Sequence, residues 1–141
     1  MKMSILSVLL LLVSTAYAGD SGDPVLDRLA KVDRFAFGGT GYAGIISQGE
    51  KDYKIILGRP SAKTDFETLI ALGNPQAKSY ALVGLRELDH RRFEQASKSL
   101  RDSTEDVATQ NGCIVSHETL GVILKRIDAD YYSVYSAIKP H

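Results

Sequence analysis

The first eighteen residues set the strongest limit on what this 141-residue chain can fold into, because they have the pattern of a secretory signal peptide. Lys2 gives a positive start, and Ile5–Val13 is apolar apart from one serine. Ala16-Tyr17-Ala18 then matches the small-x-small site that signal peptidase cuts. The apolar run is shorter than the ~20 residues of a membrane-spanning helix. We therefore expect cleavage after Ala18, so that the mature chain begins at Gly19 outside the cytoplasm.

The chain has no excess of charge that would select a polyanionic partner. Its 17 Lys and Arg residues balance its 17 Asp and Glu residues. Binding of a nucleic acid needs a basic stripe that neutralises phosphates, and this sequence has none. No second apolar stretch approaches the length of a membrane span. We expect no nucleic-acid partner and no membrane insertion after the signal is removed.

Cys113 is the only cysteine, so no disulfide can form within one chain, and packing must supply the stability. It follows Gly112 and precedes the apolar pair Ile114-Val115, with no Lys, Arg or His beside it. A lone cysteine in an exported protein is either a small buried apolar side chain or a thiol that pairs between chains. The apolar neighbours favour the first reading, and we expect Cys113 to be buried and reduced.

Helix start signals and apolar residues at helical spacing cover most of residues 19–141. Asp23-Pro24 and Asn74-Pro75 each place a capping residue before a proline at the first helical position. Ser47–Glu50 and Thr64–Glu67 match the capping box. Further N-caps are predicted at Asp89 and Ser116, and Tyr131–Ile138 has the spacing of a short last helix. One core is predicted, with Tyr53, Phe66, Tyr80, Leu85, Phe93, Leu100, Ile123 and Leu124.

A shift of 27 residues aligns two parts of the chain, with Tyr53 on Tyr80 and Phe66-Glu67 on Phe93-Glu94. Two helical hairpins built alike explain this match, and so does a chance coincidence between amphipathic helices. The pattern predicts an all-α single domain at 19–141. It would be a small bundle or a short HEAT-like stack of antiparallel helix pairs, with room for one short hairpin near 107–115.

Gly39-Thr40-Gly41-Tyr42-Ala43-Gly44 matches the glycine fingerprint of dinucleotide-binding domains. That fingerprint requires a strand before it, a helix directly after it, and an acidic residue at the end of a second strand. The best helix start is three residues beyond the last glycine, and no apolar strand follows near Arg59–Thr64. We interpret the glycines as a close-packed loop anchored by Phe35, Phe37 and Tyr42, and we predict no cofactor.

Other polar motifs also have structural explanations. Ser116-His117-Glu118 places an alcohol, an imidazole and a carboxylate side by side, whereas catalytic triads converge from distant segments. We interpret Ser116 as an N-cap and Asp128-Ala-Asp130 as a helix end followed by a new cap. We predict no catalytic residue and no metal ligand, because the histidines have no histidine partner at helical spacing; these are His90, His117 and His141.

Basic residues around the third and fourth helices are interleaved with acidic ones. Such mixed faces are commonly solvated, and a partner-binding patch is the alternative. The basic members are Arg86, Arg91, Arg92, Lys98 and Arg101.

Four short patterns in order resemble a group of short exported bacterial proteins of no established function. They are Phe35-Ala-Phe-Gly-Gly-x-Gly-Tyr-Ala-Gly, Ser47-x-Gly-Glu50, Tyr80-Ala-Leu-x-Gly-Leu85 and Gly112-Cys-Ile114. The resemblance spans most of the mature chain. It implies a setting in the bacterial envelope, periplasmic or secreted, and no activity.

Three classes of function fit these patterns. The first is a non-catalytic protein-interaction or adaptor domain of the bacterial envelope, which would bind another protein. The second is an exported inhibitor or immunity-type protein that blocks an enzyme; an exposed aromatic loop within Phe35–Gly44 would favour it. The third is an enzyme, which a cleft joining His90 or His117 to two carboxylates would favour. The sequence identifies neither the partner-binding residues nor the oligomeric state.

Overall fold

The structure is a computed structural model that describes residues 22–136. Three groups of predicted residues lie outside this range. They are the cleavage site at Ala16, Ala18 and Gly19, the last part of the predicted final helix up to Ile138, and His141.

The described residues form seven α-helices and one 3-10 helix. The α-helices are α1 (Pro24–Ala30), α2 (Gln48–Leu57), α3 (Ala62–Leu72), α4 (Pro75–Leu88), α5 (His90–Ser97), α6 (Leu120–Asp128) and α7 (Ser133–Ser136). The 3-10 helix, Lys98–Leu100, continues α5. Within residues 22–136, no helix combines the length and the apolar character needed to cross a bilayer.

Two small antiparallel sheets accompany these helices. The first hairpin pairs β1 (Gly39–Thr40) with β2 (Ile45–Ile46), and the second pairs β3 (Asp106–Asn111) with β4 (Ile114–Thr119). The all-α prediction is therefore wrong: the fold is mixed α and β. The second hairpin also extends beyond the 107–115 region in which the sequence allowed one.

Local capping explains where several helices begin. The side chains of Asp23, Ser47, Asn74 and Asp89 each accept a hydrogen bond from a backbone N–H in the first turn, as predicted. The predicted start at Thr64 is wrong, because α3 already begins at Ala62.

One hydrophobic core surrounds α4, which packs against α3, α5, α6 and β3. The predicted core is confirmed at seven positions: Tyr53, Phe66, Tyr80, Leu85, Phe93, Ile123 and Leu124 are each at most 1 % exposed. Leu100 is only partly buried and packs against the edge of the core.

The 27-residue shift in the sequence has a counterpart in the helices. α2 begins at Gln48 and α4 begins 27 residues later at Pro75, each after a side-chain N-cap. Tyr53 and Tyr80 hold equivalent buried positions on these helices. The second helices of the two pairs start 28 residues apart, at Ala62 and His90.

A close approach between α3 and α4 depends on Gly84. A Cβ at this position would lie 2.2 Å from the ring of Phe66, which is fully buried. We expect Gly84→Ala to lower the free energy of unfolding by about 1–2 kcal/mol in denaturant melts. The reason is that the cost of overpacking the core against Phe66 is larger than the stability gained from the higher helix propensity of alanine. Gly58→Ala is the matched control, since its Cβ would meet only ordinary contacts at 3.7 Å. If both variants melt like the wild type, the close approach does not exist.

Candidate functional site

The glycine-rich segment folds as a β-hairpin. β1 turns back into β2 through Gly41 and Gly44, which have φ of +68° and +62°. Residues other than glycine rarely adopt this conformation. α2 begins only after β2, so the chain runs strand–turn–strand here, whereas the dinucleotide fingerprint requires strand–turn–helix.

The base of this first hairpin is fixed to the core by hydrogen bonds. The hydroxyl of Tyr80 donates to Ala36 O at 2.7 Å and accepts from Ala36 N at 2.9 Å. The backbone N–H of Gly38 donates to Glu50 Oε2 at 2.7 Å, and Glu50 is itself buried and ion-paired with Lys54. Phe35 and Phe37 are buried as predicted. The segment that leads into the hairpin is therefore fixed in two ways: its backbone is hydrogen-bonded to Tyr80 and Glu50, and its aromatic side chains are buried in the core.

The second hairpin lies beside the first. Phe35 N donates to Ala108 O at 2.8 Å and Gln110 N donates to Phe35 O at 3.1 Å, so the anchored segment also runs along β3. A two-residue loop, Gly112 and Cys113, joins β3 to β4, with Gly112 at φ +57°. Cys113 is exposed in this loop, so its predicted burial is wrong: its apolar neighbours Ile114 and Val115 are themselves exposed.

The ends of the two hairpins are joined. Gly41 N donates to Gly112 O at 2.9 Å, which places the two turns side by side. Four large apolar side chains are exposed on the two hairpins, and we call them the hairpin-tip surface: Tyr42, Ile45, Ile114 and Val115. Ile114 and Val115 point to opposite faces of β4, because side chains alternate along a strand. Tyr42 is fully exposed, so the prediction that it anchors the loop is wrong. A contiguous exposed apolar patch is typical of a binding site.

A cleft of about 560 Å³ lies against the second hairpin, and Ile114 of the hairpin-tip surface is among its lining residues. One wall is the face of β3 and β4 that carries Thr109, Asn111 and Ser116, and the other is the segment around Tyr131 and Tyr135 that follows α6. Volumes of about 300–1,000 Å³ are usual for ligand pockets. The cleft is thus large enough to receive a small molecule.

Ser116, His117 and Glu118 lie on β4, so the predicted helix start at Ser116 is wrong; the N-cap of α6 is Thr119. Because side chains alternate along a strand, Ser116 and Glu118 line the cleft while His117 points to the opposite face. There His117 Nδ1 lies 2.7 Å from Asp106 Oδ2, and both side chains are exposed. The three residues do not converge.

An ion pair is part of the lining of the cleft. Nη2 of Arg126 donates a hydrogen bond to Oε1 of Glu118 at 3.0 Å, and Nη1 lies 2.5 Å from Oε2 as an ion-pair contact. The pKa of Arg126 is raised by this hydrogen-bonded carboxylate. Burial raises the pKa of the neighbouring Tyr132 hydroxyl, and the hydrogen bond with Arg126 offsets part of that rise. The cleft therefore contains polar groups but little net charge.

The remaining candidate residues are engaged with neighbouring charges. His90 Nε2 lies 3.8 Å from Glu94 Oε1. Asp128 and Asp130, predicted as a helix end and a cap, pair with Arg101 and Arg86. Across residues 22–136, no three His, Cys, Asp or Glu side chains gather in a way that could hold a metal ion.

The basic cluster is largely matched by carboxylates. Ion pairs hold Arg86, Arg92 and Arg101 to acidic neighbours. This arrangement is typical of a solvated mixed-charge face.

The glycine-rich hairpin gives a prediction about nucleotides. Gly41→Ala places a side chain at φ +68°, and we expect it to lower the melting temperature. Added NAD or ATP should leave the melting temperatures of both wild type and variant unchanged, because a ligand that binds the native state would raise them. A saturable stabilisation by a nucleotide that Gly41→Ala abolishes would contradict this interpretation.

Comparisons with protein-family models, curated proteins and solved structures find no match to this chain.

Proposed function

We propose that this chain is an exported, non-catalytic protein-interaction domain of the bacterial envelope, and that it binds its partner protein through the hairpin-tip surface. One observation carries the proposal: a backbone hydrogen bond joins two hairpin ends that together expose Tyr42, Ile45, Ile114 and Val115. The resemblance to short exported bacterial proteins supports the setting.

The construction of the first hairpin supports a role in binding. Tyr80 and Glu50 hold its base, while the tip carries exposed apolar side chains. A surface that is ordered before binding loses less conformational entropy when a partner docks. Tyr42 at the tip is the residue type that most often dominates binding energy in protein interfaces, together with Trp and Arg.

Affinity capture from envelope extracts tests this proposal. Three immobilised forms of the mature chain would be compared: the wild type, the double variant Tyr42→Ser/Ile114→Ser, and Leu72→Ser. Leu72 is a matched control, because it is exposed on α3 and lies outside the hairpins. We expect one protein to be retained by the wild type and by Leu72→Ser and to be lost from the double variant.

Equal retention by all three forms would contradict the hairpin-tip surface as the binding site. Thermal melts of the purified forms provide the necessary control. The double variant should melt like the wild type, because both replaced side chains are exposed.

Export has its own test. Intact-mass measurement of the protein recovered from the envelope should give the mass of a chain that starts at Gly19. A mature form that still begins at Met1 would contradict export by this signal.

The position of Tyr42 also favours a second candidate function. An aromatic side chain at the tip of a protruding loop could enter the active site of an enzyme, as expected of an inhibitor or immunity-type protein. The two candidates differ in what happens to the captured partner. An inhibitor would abolish the activity of a captured enzyme at equimolar ratio, and Tyr42→Ser would restore that activity. An adaptor would leave the partner's activity unchanged.

A further inference from the structure

We propose that the cleft between the second hairpin and the segment after α6 binds a neutral saccharide. Three features support this ligand class: exposed aromatic rings on one wall, hydroxyl and amide groups on the other, and a lining ion pair whose charges cancel. This inference does not depend on protein binding by the hairpin-tip surface, although Ile114 belongs to both surfaces.

The aromatic wall consists of exposed rings supported by buried ones. Tyr135 is 40 % exposed and stacks on Phe37, with 6.1 Å between ring centroids and 16° between planes. Tyr131 is 55 % exposed and packs edge to face on Tyr132, which in turn contacts Phe35. The negative face of an aromatic ring attracts weakly positive C–H groups. One face of a pyranose ring presents such groups.

The opposite wall carries hydrogen-bonding groups beside the exposed apolar side chain of Ile114. Thr109, Asn111 and Ser116 project from the same face of β3 and β4, because alternate strand residues share a face and Thr109 is paired with Ser116. Within residues 22–136, the side chains of Asn111 and Ser116 have no hydrogen-bond partner. An amide and a hydroxyl can each both donate and accept, which matches the hydroxyl groups at the rim of a sugar ring.

The pairing of the two charged residues in the cleft favours a neutral ligand. Arg126 is the basic residue that lines it, and its guanidinium is already ion-paired with the Glu118 carboxylate, with one hydrogen bond to Oε1. An anionic ligand would have to displace Glu118, and a cationic ligand would have to displace Arg126. A neutral ligand can hydrogen-bond to the outer edges of the pair and leave it intact.

Nuclear magnetic resonance titration of the folded, uniformly labelled chain tests the proposal. The probes are three neutral disaccharides: maltose, cellobiose and N,N′-diacetylchitobiose. We expect at least one of them to give saturable shifts at the backbone amides of Asn111, Ser116 and Tyr131. Tyr131→Ala should weaken that binding about tenfold, the loss expected for one aromatic contact. Ser116→Ala should weaken it as well.

Tyr42→Ala is the matched control, because it removes an exposed tyrosine outside the cleft. It should bind the sugar like the wild type. The absence of saturable shifts with all three sugars would overturn the proposal. So would binding that Tyr131→Ala and Ser116→Ala leave unchanged, or a cleft that binds glucuronate or a blocked alanine peptide and none of the neutral sugars. None of these outcomes would bear on protein capture by the hairpin-tip surface.

Discussion

Leu85→Ala is expected to lower the free energy of unfolding by about 2–5 kcal/mol. Leu85 lies on α4, is fully buried, and belongs to the one core that α4 organises. Truncation removes apolar surface from the core and leaves a cavity that the neighbouring helices can only partly fill. Denaturant melts of the wild type and the variant would measure the loss.

Leu72→Ala provides the matched control for this experiment. It makes the same chemical change on a neighbouring helix, but Leu72 is 73 % exposed. We expect its effect to stay within about 0.5 kcal/mol. A loss at Leu85 no larger than that at Leu72 would mean that α4 does not pack at the centre of the domain.

Tyr80→Phe is expected to have the second-largest effect, a loss of about 2–3 kcal/mol. The Tyr80 hydroxyl bonds to both Ala36 N and Ala36 O, and both residues are buried. Its removal leaves the Ala36 N–H without this acceptor, and an unsatisfied buried donor costs about 1–3 kcal/mol. The Ala36 carbonyl still accepts a longer hydrogen bond of 3.3 Å from the Ser47 hydroxyl, and this bond limits the total loss of stability.

Tyr42→Phe is the control for the loss of a tyrosine hydroxyl, because Tyr42 is fully exposed. Its free energy of unfolding should match that of the wild type. If Tyr80→Phe behaved in the same way, Tyr80 would not be what fixes the base of the first hairpin.

The raised pKa of Tyr80 predicts how the stability of the fold changes at alkaline pH. Burial raises the pKa of Tyr80 to about 12, whereas an unfolded tyrosine has a pKa of about 10. As the pH rises, the unfolded state loses this proton first. The stabilisation from Tyr80 is therefore complete below pH about 10 and is lost as the pH approaches about 12. Between pH about 9 and about 11, the wild type should lose about 1 kcal/mol more stability than Tyr80→Phe. Equal losses would contradict the raised pKa.

Local interactions explain which parts of the fold the sequence predicted. The caps at Asp23, Asn74 and Asp89 involve side chains that bond to backbone groups two or three residues away, and such contacts leave a clear sequence signal. The buried positions on α4 follow from helical spacing for the same reason.

The strands left almost no such signal. β1 and β2 contain two residues each, too few for any periodicity to be detected. Along β3 and β4 only Val107 is buried, so apolar and polar residues do not alternate. Asn111-Gly112 is a turn signal, but Ser116 also fits the pattern of a helix N-cap. This ambiguity produced both the all-α prediction and the misplaced start of α6.

The candidate site depends on contacts between distant segments. The sequence predicts that Tyr42 anchors the loop together with Phe35 and Phe37, yet the turn at Gly41 and Gly44 carries it into solvent. The cleft brings Tyr135, which stacks on Phe37, opposite residues of β3 and β4 that lie far from it in the sequence. Spacing within one segment cannot predict either arrangement.

Calorimetric titration of the captured partner protein tests the central claim most directly, which is that the joined hairpin tips form the binding surface. The measured quantity is the dissociation constant for the wild type, for Tyr42→Ser/Ile114→Ser and for Leu72→Ser. We predict that the double variant binds at least about 30-fold more weakly, the loss of one hot spot of about 2 kcal/mol, with an unchanged melting temperature. Leu72→Ser should bind like the wild type. Equal dissociation constants for the wild type and the double variant would contradict the claim.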